Sequence, residues 1–375
     1  MEVLFHGASL RLARVFHSYS LEELGQMVGK SRQYLSRLET GSDMPSVELL
    51  EQLARVLGVT PAFFAAMQMS EVPEYLIHFR KLSSTREGIR QTTQAHGRMF
   101  EKAAAYLDGI LKLPPVDFPS IDVITPEDIE RAAEQCRQYW GIGLGPLLNM
   151  IRLAERAGAL VTTFDGVSPQ VDALSIKARR PVIVRNEAKE SACRQRFDVA
   201  HEIGHFVMHE GRVTGDRMTE SQANRFASAL LVPRVMMLKH FPMPRGGRMD
   251  WQGLSQFKRT WGISKAALLY RAHQLGLLDD GQYKRGVVHL TRSGQTKTES
   301  EDKEIPLEQP ELLTNALRTM HNRLGIDLTM MAKVLEFSPK LLMRVLNLPS
   351  AFSDNVIPFP RILVRPESAS QVTNR

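Results

Sequence analysis

Residues 196–210 read Arg196-Phe197-Asp198-Val199-Ala200-His201-Glu202-Ile203-Gly204-His205-Phe206-Val207-Met208-His209-Glu210. His201 and His205 are four apart, so a helix sets both imidazoles on one face, one turn apart, where a zinc ion can bridge them. Glu202 stands about 100° round that helix, within reach of a water on the metal. Zinc lowers the pKa of bound water to about 7, and a nearby carboxylate can take its proton and return it to a leaving amine. Glu202 is therefore assigned as a general base and not as a ligand. A chance His-x-x-x-His pair on an exposed helix is the bland alternative. Against it, Phe197, Ala200, Ile203, Gly204, Phe206 and Val207 make the helix largely apolar, and a buried imidazole pair needs partners that a metal supplies.

Catalytic zinc takes three protein ligands and a water, so a third ligand must lie downstream. His209 and Glu220 are the candidates. Three successive i+4 side chains on one straight helix spread over about 12 Å, too far to converge at bonds of about 2 Å. Glu220, on the next amphipathic stretch, can fold back across the site. It is assigned as the third ligand, and His209 is given a structural role.

Around this segment the chain reads as α+β, mostly α. Residues 1–68 form short helices punctuated at Ser18-Tyr19-Ser20, Gly29-Lys30-Ser31, Gly41 to Pro45 and Gly58 to Pro61. Residues 69–118 are expected to form a helical connector, broken by Leu113-Pro114-Pro115 and Phe118-Pro119. Residues 119–280 form the zinc-site domain, zincin-like. Its helices are expected at about 126–139, 146–157, 189–210, 220–231, 254–261 and 264–277. Its small sheet, built from 159–164, 173–177 and 181–185, is expected to have hairpin connections. Because all three ligands and the base lie inside it, the isolated stretch from about Pro119 to Leu277 is expected to keep the zinc site. Residues 281–308 read as a polar linker, and 309–375 as a small helical C-terminal unit.

Composition narrows the setting without deciding it. The 375 residues are 43% hydrophobic, enough for two or three packed domains. The start, Met1-Glu2-Val3-Leu4-Phe5-His6, lacks the pattern of an export signal, and no window reaches the roughly 18 apolar residues of a membrane span. Cys136 and Cys193 are the two cysteines, far apart and outside any metal-binding spacing. A cytoplasmic protein with no membrane partner is expected. The net charge of +7 suits a nucleic acid but is spread thinly.

Leu21 to Leu38 follows helix-turn-helix grammar. Gly25 sits where two helices touch, Gly29 at the turn, and Leu21, Leu24, Val28, Leu35 and Leu38 face inward. The second helix, Ser31 to Glu39, is the expected recognition helix. Arg32 and Arg37 suit guanine, Gln33 suits adenine, and Lys30, Ser31 and Ser36 suit phosphate or base edges. The competing reading is a protein-interaction module, because residues 1–68 hold six Lys/Arg against seven Asp/Glu. Lys30, Arg32 and Arg37 nevertheless face no acid before Glu39. In the connector, Arg80, Lys81, Arg86, Arg90, Arg98 and Lys102 against Glu87 and Glu101 could extend a phosphate contact, or form a solvated face. A weak repeat appears when Leu328–Val345 is laid on Leu21–Leu38. Met331, Ala332, Leu335, Leu342 and Val345 then fall on Leu24, Gly25, Val28, Leu35 and Leu38, with Glu336 at the turn glycine. Phe337, Pro339 and Leu341 in place of polar readers point to an interaction surface.

Two resemblances sharpen these readings. The run 196–205, followed by Glu220-Ser221-Gln222-Ala223-Asn224-Arg225-Phe226-Ala227-Ser228-Ala229-Leu230-Leu231-Val232-Pro233, resembles the ImmA/IrrE family of metallopeptidases over roughly residues 145–280. That likeness implies zinc on His201, His205 and Glu220, with Glu202 catalytic. It also implies a substrate class, a partner repressor of the Cro/CI type or an antitoxin-like protein, whose cleavage relieves repression. The run 31–41 is similar to Xre/Cro-type repressors over about residues 9–66, which implies DNA as a partner and is compatible with a homodimer. The rival to a peptidase is a non-catalytic DNA-binding regulator that uses the zincin-like domain as a sensor; an intact Glu202 favours the enzyme.

Overall fold

The computed structural model describes residues 4–65, 77–79, 87–164, 173–177, 180–186 and 189–348. Its first five helices are α1 (Gly7–Phe16), α2 (Leu21–Val28), α3 (Arg32–Glu39), α4 (Val47–Leu57) and α5 (Pro61–Ala65). Side chains at their starts accept from amides that have no intrahelical acceptor: Ser20 from Glu23 N, Ser31 from Tyr34 N and Ser46 from Leu49 N. Glu23 returns to the Ser20 amide and completes a capping box. Gly29 ends α2 at φ 63°, a left-handed conformation that costs glycine no Cβ clash. Leu24, Leu35 and Leu38 are buried, as their spacing requires.

The connector departs from a plain helical bridge. Its α6 (Glu87–Ile110) is helical, but Ile77–Phe79 form a strand, β1. With β2 (Leu160–Thr163), β3 (Ala173–Lys177) and β4 (Pro181–Arg185) it makes a four-stranded sheet in the order β1-β3-β4-β2. β1 pairs antiparallel with β3, placing His78 opposite Ser175. The expected hairpin joins β3 to β4, with Ser175 opposite Ile183. β2, however, runs parallel to β4. The chain leaves β2, crosses to the far side to make β3, and returns to fill the centre with β4, whose five residues are all buried, as a strand covered on both faces requires.

Strand alternation gives the sheet two apolar faces. Val161 and Ile183 pack toward α9 (Ala192–Met208). Leu160, Ile176, Val182 and Val184 belong to a second core with Met99, Phe100, Ala103 and Leu107 of α6. That same core contains Leu10, Phe16, Leu24 and Leu35 of the N-terminal helices and Leu317, Met331 and Leu342 near the C-terminal end. The N-terminal unit, α6, one sheet face and the C-terminal unit are therefore built around one core.

Flanking α9 are α7 (Pro126–Tyr139), α8 (Met150–Arg156), α10 (Arg217–Leu231), α11 (Arg234–His240), α12 (Trp251–Trp261), α13 (Lys265–Gln274) and α14 (Asp280–Arg292). The stretch 281–308, read from its polarity as linker, is folded: α14 covers it as far as Arg292, and Ser300–Glu304 form a 3-10 helix. Ion pairs replace apolar periodicity here. Lys258 Nζ lies 2.8 Å from Glu299 and 2.6 Å from Asp302, and Lys265 Nζ lies 2.9 Å from Glu301. All five side chains are buried. Hydropathy reads such a segment as solvated because the compensating cations come from elsewhere in the chain.

The C-terminal unit, α15 (Leu312–Leu324), α16 (Leu328–Val334) and α17 (Pro339–Val345), repeats the helix-turn-helix plan. Met331, Ala332, Leu335, Leu342 and Val345 are buried, and Glu336 adopts φ 59° where Gly29 has φ 63°. Of the residues expected to form its interaction surface, Phe337 and Leu341 are buried and Pro339 is exposed. Phe337 bridges Val59, Ser338 N donates to Gly58 O at 2.8 Å, and Thr60 N donates to Glu336 O at 3.0 Å.

Two outcomes follow from this packing. The fragment 119–280 lacks α6 and leaves Leu160, Ile176, Val182 and Val184 uncovered. Contrary to the expectation of a self-sufficient zinc-site domain, it should unfold at a lower temperature than the full chain and scatter light as it aggregates. Equal melting temperatures would show that the sheet face needs no cover.

Lys258→Met should cost about 3–5 kcal/mol in urea unfolding, because Glu299 and Asp302 keep buried charges without their ammonium. Burial raises the Glu301 carboxyl, but the Ser255 hydroxyl and the Lys265 ammonium outweigh it and hold it down at about 2. Its contribution is thus full above 4.5 and lost as pH falls toward 2. The stability deficit of Glu301→Gln should shrink over that window; a pH-independent deficit would remove the ionic explanation.

Candidate metal centre

Helix α9 is apolar enough to be buried along most of its length, with His201 and Glu202 0% exposed and His205 1%. Its partner α10 begins at Asp216, whose side chain accepts from the Met218 and Thr219 amides. The two helices pack closely. A Cβ on Gly204 would fall 3.0 Å from Phe226 Cδ1, so the small residue between the two histidines lets α10 come near enough to deliver a side chain.

That side chain is Glu220. Its Oε2 lies 3.4 Å from His201 Nε2 and its Oε1 lies 3.3 Å from His205 Nε2, while the two Nε2 atoms are 3.1 Å apart. Ligands bound tetrahedrally at about 2.0–2.2 Å stand about 3.3–3.6 Å from one another, so the triangle is close to the dimensions of a zinc site, with the two imidazoles slightly nearer. The chemistry fits as well. His201 Nδ1 lies 3.1 Å from Asn224 Oδ1, an acceptor, so the ring proton sits there and Nε2 keeps its lone pair. Burial pushes His205 down to about 4, leaving that ring neutral. Glu220 turns its two carboxyl oxygens toward those nitrogens. Lone pairs and a carboxylate crowded together in a buried site call for a cation between them. Among the described residues, His201, His205 and Glu220 form such a ligand group.

Glu202 lies outside the triangle. Ser175 of β3 donates its hydroxyl to Glu202 Oε2, which ties the carboxylate to the sheet above the helix. Ser175 escaped the sequence reading. The signal was the alternation within 173–177: Ile176 packs in the α6-side core, so its neighbour Ser175 faces α9. His209, assigned a structural role, lies with Nδ1 2.9 Å from His205 Nδ1 and Nε2 2.9 Å from Gln222 Oε1, and it contributes nothing to the triangle.

On the N-terminal unit, Lys30, Ser31, Arg32, Gln33 and Arg37 are exposed and Ser36 is half-buried. Ser31 Oγ already caps α3 through Tyr34 N at 3.2 Å. Arg37 has an acidic partner after all: its Nε lies 3.3 Å from Asp43, and its guanidinium lies 5.5 Å from the Tyr34 ring centroid. Glu39 is taken by Arg14 at 2.6 Å. In the connector, Lys102 is turned away from any phosphate role. It lies over the rings of Phe63 and Phe337, at 5.0 and 5.3 Å, and burial lowers its pKa. Arg80, Lys81 and Arg86 lie outside the described residues.

Comparison with known families agrees with both halves. The model of the IrrE N-terminal-like domain, peptidase family M78, matches residues 154–273, a range that holds all three ligand candidates and Glu202. The helix-turn-helix model matches residues 10–64, from α1 to α5. No curated protein matches the chain. The polypeptide thus carries an N-terminal helix-turn-helix DNA-binding domain fused to an ImmA/IrrE-type, peptidase-like domain.

Proposed function

We propose that this chain is a zinc-dependent endopeptidase of the HExxH type that acts in the cytoplasm on a repressor or antitoxin-like protein, and that its N-terminal domain holds it at DNA. The observation that carries the reading is the division of labour between adjacent residues. His201, His205 and Glu220 converge as ligands, while Glu202 stands beside them, held by Ser175 and not spent on coordination. A purely structural or sensory metal site has no use for that fourth group.

In the proposed reaction the zinc held by the triad would polarise the scissile carbonyl and acidify the attacking water. Glu202 takes the proton of that water and hands it to the leaving nitrogen. Ser175 holds the Glu202 carboxylate in register through its hydroxyl, and Asn224 fixes the His201 ring. Burial of His201 and His205 on α9, with Glu220 of α10 half-buried over them, strengthens each charge interaction. On the DNA side, Arg32, Gln33 and Arg37 are the proposed base readers, with Lys30, Ser31 and Ser36 toward the backbone.

Zinc content and cleavage of a co-encoded repressor should separate in two variants. Glu202→Gln should retain zinc and lose about 10²–10⁴-fold in rate, whereas His201→Ala should lose both metal and activity. Cleavage by Glu202→Gln at the normal rate would end the catalytic assignment.

Arg32→Ala should weaken operator binding by about 1–3 kcal/mol if it reads a base, with short-peptide turnover unchanged. Arg37→Ala should cost less, since Arg37 gives up its pairing with Asp43 to reach DNA. The double variant binding every DNA as tightly as the parent would make α3 a docking surface.

A further inference from the structure

We propose that His209 and Gln222 are positioning residues for the metal: together they fix the tautomer of His205 so that a lone pair, and not an N–H, points at the ion. The proposal rests on the zinc reading of the triad and is independent of peptide hydrolysis.

A neutral imidazole offers one donor and one acceptor. His205 and His209 meet Nδ1 to Nδ1 at 2.9 Å, so one proton lies between them and one ring must give while the other takes. What lies beyond His209 decides the direction. Its Nε2 is 2.9 Å from Gln222 Oε1, a carbonyl oxygen that only accepts. His209 therefore carries its proton on Nε2 and its lone pair on Nδ1. His205 must then donate from Nδ1, which leaves the lone pair on Nε2, the atom that faces Glu220 Oε1 at 3.3 Å and His201 Nε2 at 3.1 Å. Reversing the relay would put a hydrogen on His205 Nε2, in the space the ion has to fill.

The same relay explains why His209 is not a ligand although it continues the four-residue spacing. Both of its nitrogens are engaged, and as the C-cap of α9 it has left helical geometry, at φ −119° and ψ 37°. His201 receives the equivalent orientation in one step from Asn224 at 3.1 Å. Helix α10 thus supplies the third ligand, Glu220, and the group that orients each of the other two, Asn224 directly and Gln222 through His209. Partners of this kind on metal-bound histidines fix ring orientation and raise ligand basicity.

The test is zinc affinity of the full-length chain, measured by competition with a chromophoric chelator. His209→Phe keeps a ring but removes the acceptor, and should weaken zinc binding about 10–100-fold. His209→Asn places an amide oxygen near the Nδ1 position and should restore affinity close to that of the parent. Gln222→Met removes the acceptor that sets the direction and should weaken binding, whereas Gln222→Glu, which can only accept, should not. A purely space-filling role would not separate Glu from Met at 222, or Asn from Phe at 209. Nitrogen-15 spectra of the zinc-free parent should show the proton on Nδ1 of His205 and on Nε2 of His209. Parent-like affinity in both His209→Phe and Gln222→Met, or the opposite tautomers in those spectra, would overturn the proposal. A parent chain that took up no zinc would instead refute the triad reading, with the spectra still deciding the direction of the relay.

Discussion

A straight helix can aim only two side chains at one ion when they are spaced four apart, so the third ligand has to arrive from a second helix. The rest of the site is arranged around that constraint. α10 must approach α9 at the level of the histidines, which is why a glycine separates them and why Phe226 fills the space its missing Cβ leaves. The approach brings more than Glu220: Gln222 and Asn224 come with it, so ligation and orientation are set by one helix packing on another. Glu202 points elsewhere on the same helix and finds its support in the sheet, through Ser175.

Placing a carboxylate and two imidazoles in a buried site opposes folding unless each polar atom has a partner. Here the partners are short-range and mostly uncharged: an amide for His201, the imidazole of His209 for His205, with an amide behind His209, and a hydroxyl for Glu202. The far end of the domain uses the opposite device. Lys258 and Lys265 are buried against Glu299, Glu301 and Asp302, a largely ionic cluster that holds the 3-10 helix in place. Neutral partners leave the charge of the candidate metal centre to Glu220, whereas the distant cluster sets ammonium against carboxylate directly.

What could be read in the chain was what repeats or what is spaced. The His201–His205 spacing, the limit on His209 and the choice of Glu220 follow from helix geometry, and the structure brings His201, His205 and Glu220 together as a group that could hold an ion. The internal repeat was legible because buried positions recur, and Glu336 shows that the turn outlived its glycine. Other features depend on partners remote in sequence. Ser175 is one serine in a short strand, and its meaning comes from the strand register. Residues 77–79 pair with β3 across nearly a hundred positions, which no local pattern encodes. The 3-10 helix looked like linker because its stabilising cations lie some forty residues away.

Boundaries drawn from composition separate a DNA-binding unit, a connector and a peptidase-like unit, but burial does not follow those boundaries. α6 lies with its apolar residues in the same core as the helix-turn-helix and one face of the sheet, while Val59 and Phe337 join the first and last helical units. The other face of that sheet packs on α9, the helix of the candidate ligands. Only one layer of strands therefore separates the core of the DNA-binding unit from the helix that carries His201 and His205. Ile176 and Ser175 are neighbours in β3: the first lies in the core with α6, and the second donates its hydroxyl to Glu202. The sheet is thus a physical link between the two halves of the protein, since β2 and β4 each place alternate residues in the two cores.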